Sequence, residues 1–201
     1  LEERESLVKP EDISTIQFTS GTTGNPKAVC TKQVSILNNA LTNAYNIGYT
    51  NEDKVLLGTP LFHILGYIGT ALTILNAGGT LVLLEKFQTK RVLEVIEQQC
   101  TSFHGVPTVY QYMLNKYHSY NLSSLKKGMI AGAYCREEVA GEILSKLKMD
   151  KLANIYGQTE VISIGEIDYM PENIGKEKGF RILQGVNVKI VDGKTHQELP
   201  V

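Results

Sequence analysis

The sequence predicts an α/β fold: a parallel sheet flanked by helices, entered through an N-terminal β-hairpin and finished by antiparallel strands. Three observations carry this. From Lys54 to Gly157, short aliphatic runs alternate with segments whose apolar residues recur at helical spacing. The intervening segments are of helix length, and parallel strands need crossovers of that kind. After Glu160 the pattern changes to "VISIGEI" and "VNVKIVD", two short pieces that read as antiparallel strands.

Taken in order, residues 1–11 are charged and patternless and read as a frayed end, with the folded part over 12–201. "ISTIQFTS" and "AVCTK" flank a glycine-rich loop as the two strands of a hairpin. "VSILNNALTNAYNIGYT" carries Ile36, Leu37, Ala40, Leu41, Ala44 and Tyr45 at helical spacing, with Gly48 as the stop. "KVLLGTP" is a strand, "HILGYIGTALTILNAGG" a buried helix closed by glycines, and "TLVLLE" a strand. "TKRVLEVIEQQC" is an amphipathic helix, "TSFHGVP" a strand and turn, "TVYQYMLNKY" a helix and "KKGMIAGA" a strand. "REEVAGEILSKLK" is a helix with Val139, Ala140, Ile143, Leu144 and Leu147 on one face, and "KLANIYG" the strand after it.

Composition narrows the classes. The chain has 201 residues with 42% hydrophobic content, as an ordinary globular protein does. A net charge of −1 argues against a nucleic-acid partner, which favours a basic surface. Val55 to Leu84 holds no Asp, Glu, Lys or Arg, a length that could cross a bilayer. Pro60, His63, Asn76 and Gly78–Gly79 interrupt it, so a buried strand–helix–strand unit fits better and no membrane span is expected. Cys30, Cys100 and Cys135 lack metal or disulfide spacing and read as reduced, buried thiols of a cytoplasmic protein. No signal peptide is visible, and the sequence is silent on oligomeric state.

The chemistry concentrates in "FTSGTTGNPKAV". Its glycines permit positive φ and close approach, so backbone N–H groups can turn toward an anion. Ser20, Thr22 and Thr23 add hydroxyl donors and Lys27 a positive charge, which together suit a phosphate. The loop is not a P-loop: Pro26 precedes Lys27, Ala28 stands where a magnesium-binding hydroxyl would be, and a strand rather than a helix follows.

"TSGTTGNPK" resembles the phosphate loop of the acyl-adenylate-forming (AMP-binding) superfamily, and four further stretches match that family in order: "PLFHILG", "GVPTVY", "AGAYC" and "NIYGQTE". The similarity runs from about Asp12 to the end and leans to the acyl- and aryl-CoA synthetase branch, because "FHILG" stands where amino-acid-activating relatives usually carry Phe-Asp. The resemblance implies ATP contacts at Thr19, Ser20, Gly21, Thr22, Thr23, Gly24 and Lys27. It also implies them at Gly132, Ala133, Tyr134, Asn154, Tyr156, Gly157 and Thr159. Tyr156 would stack on adenine, Thr159 contact the α-phosphate, and Glu160 hold Mg²⁺; Thr159 and Glu160 are the implied catalytic pair. His63, Gly132 and Gly157 would border the acyl group. By itself, a lone histidine between "PLF" and "ILGYIG" is more often a hydrogen-bonded core residue. Three departures stand out: Tyr134 where the family has proline, Ala28 where it has glycine, and Phe180–Arg181 where Gly-Arg is common.

The implied reaction is ATP-dependent activation of a carboxylic acid through acyl-AMP, followed by transfer to coenzyme A. The chain is expected to be the middle of a larger ligase, lacking the mobile domain that carries a catalytic lysine, and so to be poorly active alone. Two other readings stay open: a non-catalytic nucleotide- or acyl-binding homologue, and an adenylation domain loading a carrier protein. His104, His118 and His196 show no metal spacing.

Overall fold

The computed structural model describes residues 7–19, 25–176 and 179–200. Two strands, β1 (Ile13–Thr19) and β2 (Lys27–Lys32), form an antiparallel hairpin. The loop residues Ser20, Gly21, Thr22, Thr23 and Gly24 lie outside the described residues, as do residues 1–6 of the expected frayed end. The main sheet has seven strands in the order β4-β3-β5-β6-β7-β8-β9. They are β3 (Lys54–Leu57), β4 (Thr80–Val82), β5 (Ser102–Gly105), β6 (Lys127–Ala131), β7 (Lys151–Gln158), β8 (Ile162–Tyr169) and β9 (Arg181–Ile182). Strands β4, β3, β5, β6 and β7 run parallel; β8 and β9 are each antiparallel to the strand before them.

Five helical segments cover the sheet: α1 (Gln33–Ile47), α2 (the continuous run Ile64–Gly66, Tyr67–Leu72 and Thr73–Asn76), α3 (Thr89–Gln99), α4 (Pro107–Leu114) and α5 (Glu137–Leu147). Side-chain alternation along the strands assigns them to two faces. Leu56, Phe103, Ile130 and Leu152 pack with Val92, Ile96, Met113 and Leu144 of α3, α4 and α5. Val55, Met129, Ala153 and Ile155 point the other way, toward Ile47, Leu65 and Ile74. Local chemistry sets the helix ends. Gly48, at φ 79°, closes α1 by donating to the carbonyls of Ala44 and Tyr45. Pro107 opens α4 at a position that has no use for an N–H. Glu137 and Glu138 begin α5 and Lys146 ends it, in the sense the helix dipole favours.

The structure corrects two expectations, the strand at "VNVKIVD" and the burial of Cys30, and adds detail to two helices. The buried face of α1 is Ile36, Ala40, Asn43, Ala44 and Ile47, whereas Leu37, Leu41 and Tyr45 face solvent, Tyr45 at 86% exposure. The apolar pattern was ambiguous because the helix carries two hydrophobic stripes and buries an asparagine inside the narrower one. "VNVKIVD" forms no strand; only an isolated bridge joins Val191 to Glu198, and the ninth strand is Arg181–Ile182 instead. Cys30 is exposed on β2, while Cys100 and Cys135 are buried. The middle of α2, Tyr67–Leu72, is π-helical. Its cause is local: the Thr70 hydroxyl donates to the Leu65 carbonyl and the Thr73 hydroxyl to the Ile68 carbonyl, both five residues back.

Candidate functional site

The carboxyl ends of β6 and β7 build the site. The chain leaves β6 through Gly132, whose φ of 81° carries it into "AYC" along the sheet edge. Beside it, β7 carries an irregularity between Tyr156 and Gly157. A Cβ on Gly157 would lie 1.7 Å from the Ile162 carbonyl oxygen, so only glycine lets β7 and β8 approach this closely. Across from it Ile162 has φ 66°, a left-handed conformation that strains a β-branched residue. Its side chain is nevertheless buried, packed with Ile36, Ala40 and Ile68.

Two recesses meet here. The larger, about 360 Å³, is lined by Gly132, Ala133, Tyr134, Asn154, Ile155, Tyr156, Gly157 and Phe180. This size suits a small organic ligand. Every strand-end residue that the resemblance implies for ATP, Thr159 apart, borders it. Tyr134 and Tyr156 are exposed at 76% and 47% and offer ring faces of the kind that stack on a planar base. Asn154 is 1% exposed and lines the recess, with its side-chain amide directed at the Tyr169 hydroxyl.

The smaller recess, about 60 Å³, is lined by His63, Ile64, Leu65, Gly69 and Ala131 together with Gly132, Ile155, Gly157, Ile162 and Ser163. It thus brings together all three residues expected at an acyl group. Gly132, Ile155 and Gly157 belong to both recesses and form their common edge. His63 is not a core residue. It is exposed at the head of α2, where its Nδ1 accepts the Leu65 N–H at 3.2 Å and caps the helix. The buried histidine is His104, which the sequence reading set aside.

Thr159 and Glu160 occupy the turn between β7 and β8, with Glu160 exposed. Among the described residues no group of three His, Cys, Asp or Glu side chains could hold a metal. One carboxylate at a strand end still fits Mg²⁺, which is commonly held by one or two carboxylates plus substrate phosphates. Thr19 pairs with Lys27 at the loop end of the hairpin, next to the undescribed residues. The Gln17 amide donates to the Phe62 carbonyl at 3.2 Å, tying β1 to the segment that carries His63.

Phe180 lines the larger recess and was not among the expected site residues. Its ring lies 5.8 Å from that of Tyr156, and its bulk at a position where glycine is common was the available signal. Arg181 fixes it there by pairing with Glu166 of β8 and reaching Asp168 at 3.6 Å, while Lys151 meets Asp168 at 3.1 Å. Burial and the neighbouring Asp168 push the Glu166 carboxyl up, against the pull of Arg181 and Lys151.

Among the described residues no helix is long and apolar enough to cross a membrane. The profile of the family described as AMP-binding enzyme matches residues 1–201. The chain is 31% identical over 204 residues to the putative acyl-CoA synthetase YngI of Bacillus subtilis, covering 99% of this chain and 37% of that protein. It is 31% identical to the mitochondrial medium-chain acyl-CoA ligase ACSF2 of Bos taurus, covering 97% of this chain and 33% of that one. The chain therefore spans little more than a third of these relatives. Among solved structures, the amide bond synthetase McbA of Marinactinospora thermotolerans superposes with a TM-score of 0.80 at 28% identity, over 95% of this chain and 39% of that one. An ATP-bound RpMatB–BxBclM chimera gives a TM-score of 0.81 at 24% identity over 96% of this chain and 38% of that one, a likeness of fold. With the profile matched from end to end and the strand-end recesses in place, the chain belongs to the AMP-binding enzyme family.

Proposed function

We propose that this chain carries the nucleotide- and acid-binding part of an ATP-dependent acid–thiol ligase. The observation that carries the reading is the pair of adjoining recesses: an aromatic-flanked one that Asn154 helps to line, and an apolar one, sharing the edge Gly132–Ile155–Gly157. An acyl-adenylate has that shape, a planar base at one end and an acyl group at the other, joined at a phosphate.

In the reaction proposed, a carboxylate oxygen attacks the α-phosphorus of ATP and pyrophosphate leaves, giving acyl-AMP. The sulfur of a thiol, coenzyme A, then attacks the acyl carbon, loses its proton, and displaces AMP. Both reactants of the first step are anions, so the protein must align them and offset their repulsion. Tyr156 and Phe180 hold the base, and Asn154 lines the recess around it. Thr159 faces the α-phosphate. Thr19, Lys27 and the residues between them hold the outer phosphates. Mg²⁺ at Glu160 would offset charge on the phosphate oxygens. His63, capped into place on α2, borders the carbon next to the reacting carboxyl. We place the protein in the cytoplasm, as a reading from its unpaired cysteines.

Calorimetric titration with ATP–Mg²⁺ tests the reading. Binding that weakens at least tenfold in Glu160→Ala and in Thr23→Ala supports it. Binding unchanged in both would replace it with a lobe that holds no nucleotide at these residues. Nucleotide binding without any acid-dependent release of pyrophosphate, in a chain that includes the rest of the ligase, would favour a non-catalytic homologue.

A further inference from the structure

A buried polar chain crosses the core behind the smaller recess. Ser102 and His104 of β5 are fully buried, as is Thr70 of α2. The Tyr49 hydroxyl lies 2.5 Å from Ser102 Oγ and 2.5 Å from His104 Nε2. His104 Nδ1 is 3.0 Å from Thr70 Oγ1, whose hydroxyl donates to the Leu65 carbonyl at 2.9 Å. The proton order is fixed from the last link backward. Thr70 gives its hydrogen to a carbonyl, so its oxygen accepts from His104 Nδ1–H. His104 Nε2 is then bare and accepts from Tyr49, and the Tyr49 oxygen accepts from Ser102. Burial holds the His104 imidazole neutral, with its pKa pushed down to about 3, in keeping with this order.

The chain ends where the recess begins. Leu65 and Gly69 form one wall of the recess, Ala131 and Ile155 at the ends of β6 and β7 the other. Thr70 follows Gly69 in the π-helical stretch, the one place where α2 departs from regular geometry. We infer that Ser102, Tyr49, His104 and Thr70 are positioning residues that pull the π-helical wall down onto the sheet and so set how long an acyl group the recess accepts. This rests on the reading of that recess as the acid site. The recess holds about 60 Å³, so a small shift of the tethered wall changes the length of acyl group it admits. None of the four residues touches the ligand in this arrangement; they act through Leu65 and Gly69.

The test uses adenosine 5′-acylsulfamates, unreactive acyl-adenylate mimics, from acetyl to decanoyl, titrated against the chain and against Thr70→Val, Thr70→Ser and His104→Gln. Thr70→Val should shift the ratio of octanoyl to acetyl affinity by about tenfold or more toward the longer chain, the discrimination that one methylene carries. AMP affinity should stay the same, Thr70→Ser should restore the original ratio, and His104→Gln should follow Thr70→Val. An unchanged ratio in Thr70→Val overturns the inference. Hydrogen exchange decides it independently of any ligand: faster exchange confined to Leu65–Thr73 in Thr70→Val supports the tether, and unaltered protection there overturns it. Should neither AMP nor any mimic bind the parent chain, the acid-activation reading fails, and the exchange result still judges the tether.

Discussion

The two faces of the sheet are built to different rules. The face under α3, α4 and α5 is one continuous apolar cluster. Within it the Tyr110 hydroxyl is satisfied by the Phe103 carbonyl at 2.6 Å, and its polar exception, Asn154, lies at the strand end where the larger recess opens. The face under α1 and α2 is split into two smaller apolar clusters. Between them lie Asn43, Thr70, Thr73, Ser102 and His104, all fully buried, and the recess. Even the join of α1 to β8 is polar there: Asn39 donates to the Ser163 carbonyl and Asn43 to the Ser163 hydroxyl. One face thus supplies most of the hydrophobic stabilisation. The other uses directional bonds, which fix positions more sharply than apolar contact does.

This division makes the cost of a substitution depend on its face. The largest effect is expected for Phe103→Ala. The ring is wholly buried and packed edge-on to Tyr110 at 5.2 Å between centroids. Losing it should lower unfolding free energy by about 4 kcal/mol in denaturant titration. Nucleotide affinity of the remaining folded protein should not change. A matching loss of affinity would mean that the two faces are not separable.

Next in size is a clamp at the opposite end of the strands from the recesses. Asp53, at the start of β3, accepts bonds from the Thr50 N–H and the Thr101 hydroxyl at 2.9 Å each and pairs with Lys127 at 2.9 Å. Burial alone would raise its carboxyl, but the bonds from Lys127, Thr50 and Thr101 outweigh it and hold the pKa below the ordinary 3.8. Because the folded value is depressed, the clamp stabilises fully above the unfolded pKa and is lost as pH falls through the folded one. Asp53→Asn should therefore cost about 3 kcal/mol at neutral pH. The gap from the parent should shrink in acid titrations below about pH 4. A gap that stays constant on acidification would remove the ionic account.

On the functional face the expected readout is affinity. Gly157→Ala places a methyl against the Ile162 carbonyl and must part β7 from β8 at the common edge of the recesses. ATP–Mg²⁺ binding should weaken by about a hundredfold, about 2.7 kcal/mol. A chain that unfolds cooperatively but binds nucleotide about a hundredfold more weakly is the expected phenotype. Near-parental affinity would show that the edge is not part of the site.

The apolar face was legible in the sequence and the polar face only in part. Helix α5 shows its buried stripe of Ala140, Ile143, Leu144 and Leu147 openly, because nothing but packing selects those residues. Helix α1 misleads, since Asn43 is chosen for a bond to a residue 120 positions away that no local pattern reveals. The strand-end residues Gly132 to Tyr134 and Asn154 to Gly157, which line the larger recess, could be singled out because they stand in ordered motifs. His104 was passed over for the same reason in reverse: its partners Tyr49, Ser102 and Thr70 are scattered in sequence and meet only when β5 lies against α2. Phe180 required knowing that β9 would return its flank to Tyr156.

The smallest effect tests the stabilising face from the favourable side. Lys148 ends α5 in the left-handed region, at φ 55°, where its N–H caps the Leu144 carbonyl. The conformation is needed for the cap, yet it costs a residue with a Cβ. Lys148→Gly removes that cost and also frees more of the unfolded chain, which offsets part of the gain. A net increase of about 0.5–1 kcal/mol in unfolding free energy is expected, with ATP–Mg²⁺ affinity unmoved. Because α5 packs only on the apolar face, a change in affinity here would be the more telling result: it would show that strain at the far end of that helix reaches the β6–β7 edge, and that the division of labour between the faces is incomplete.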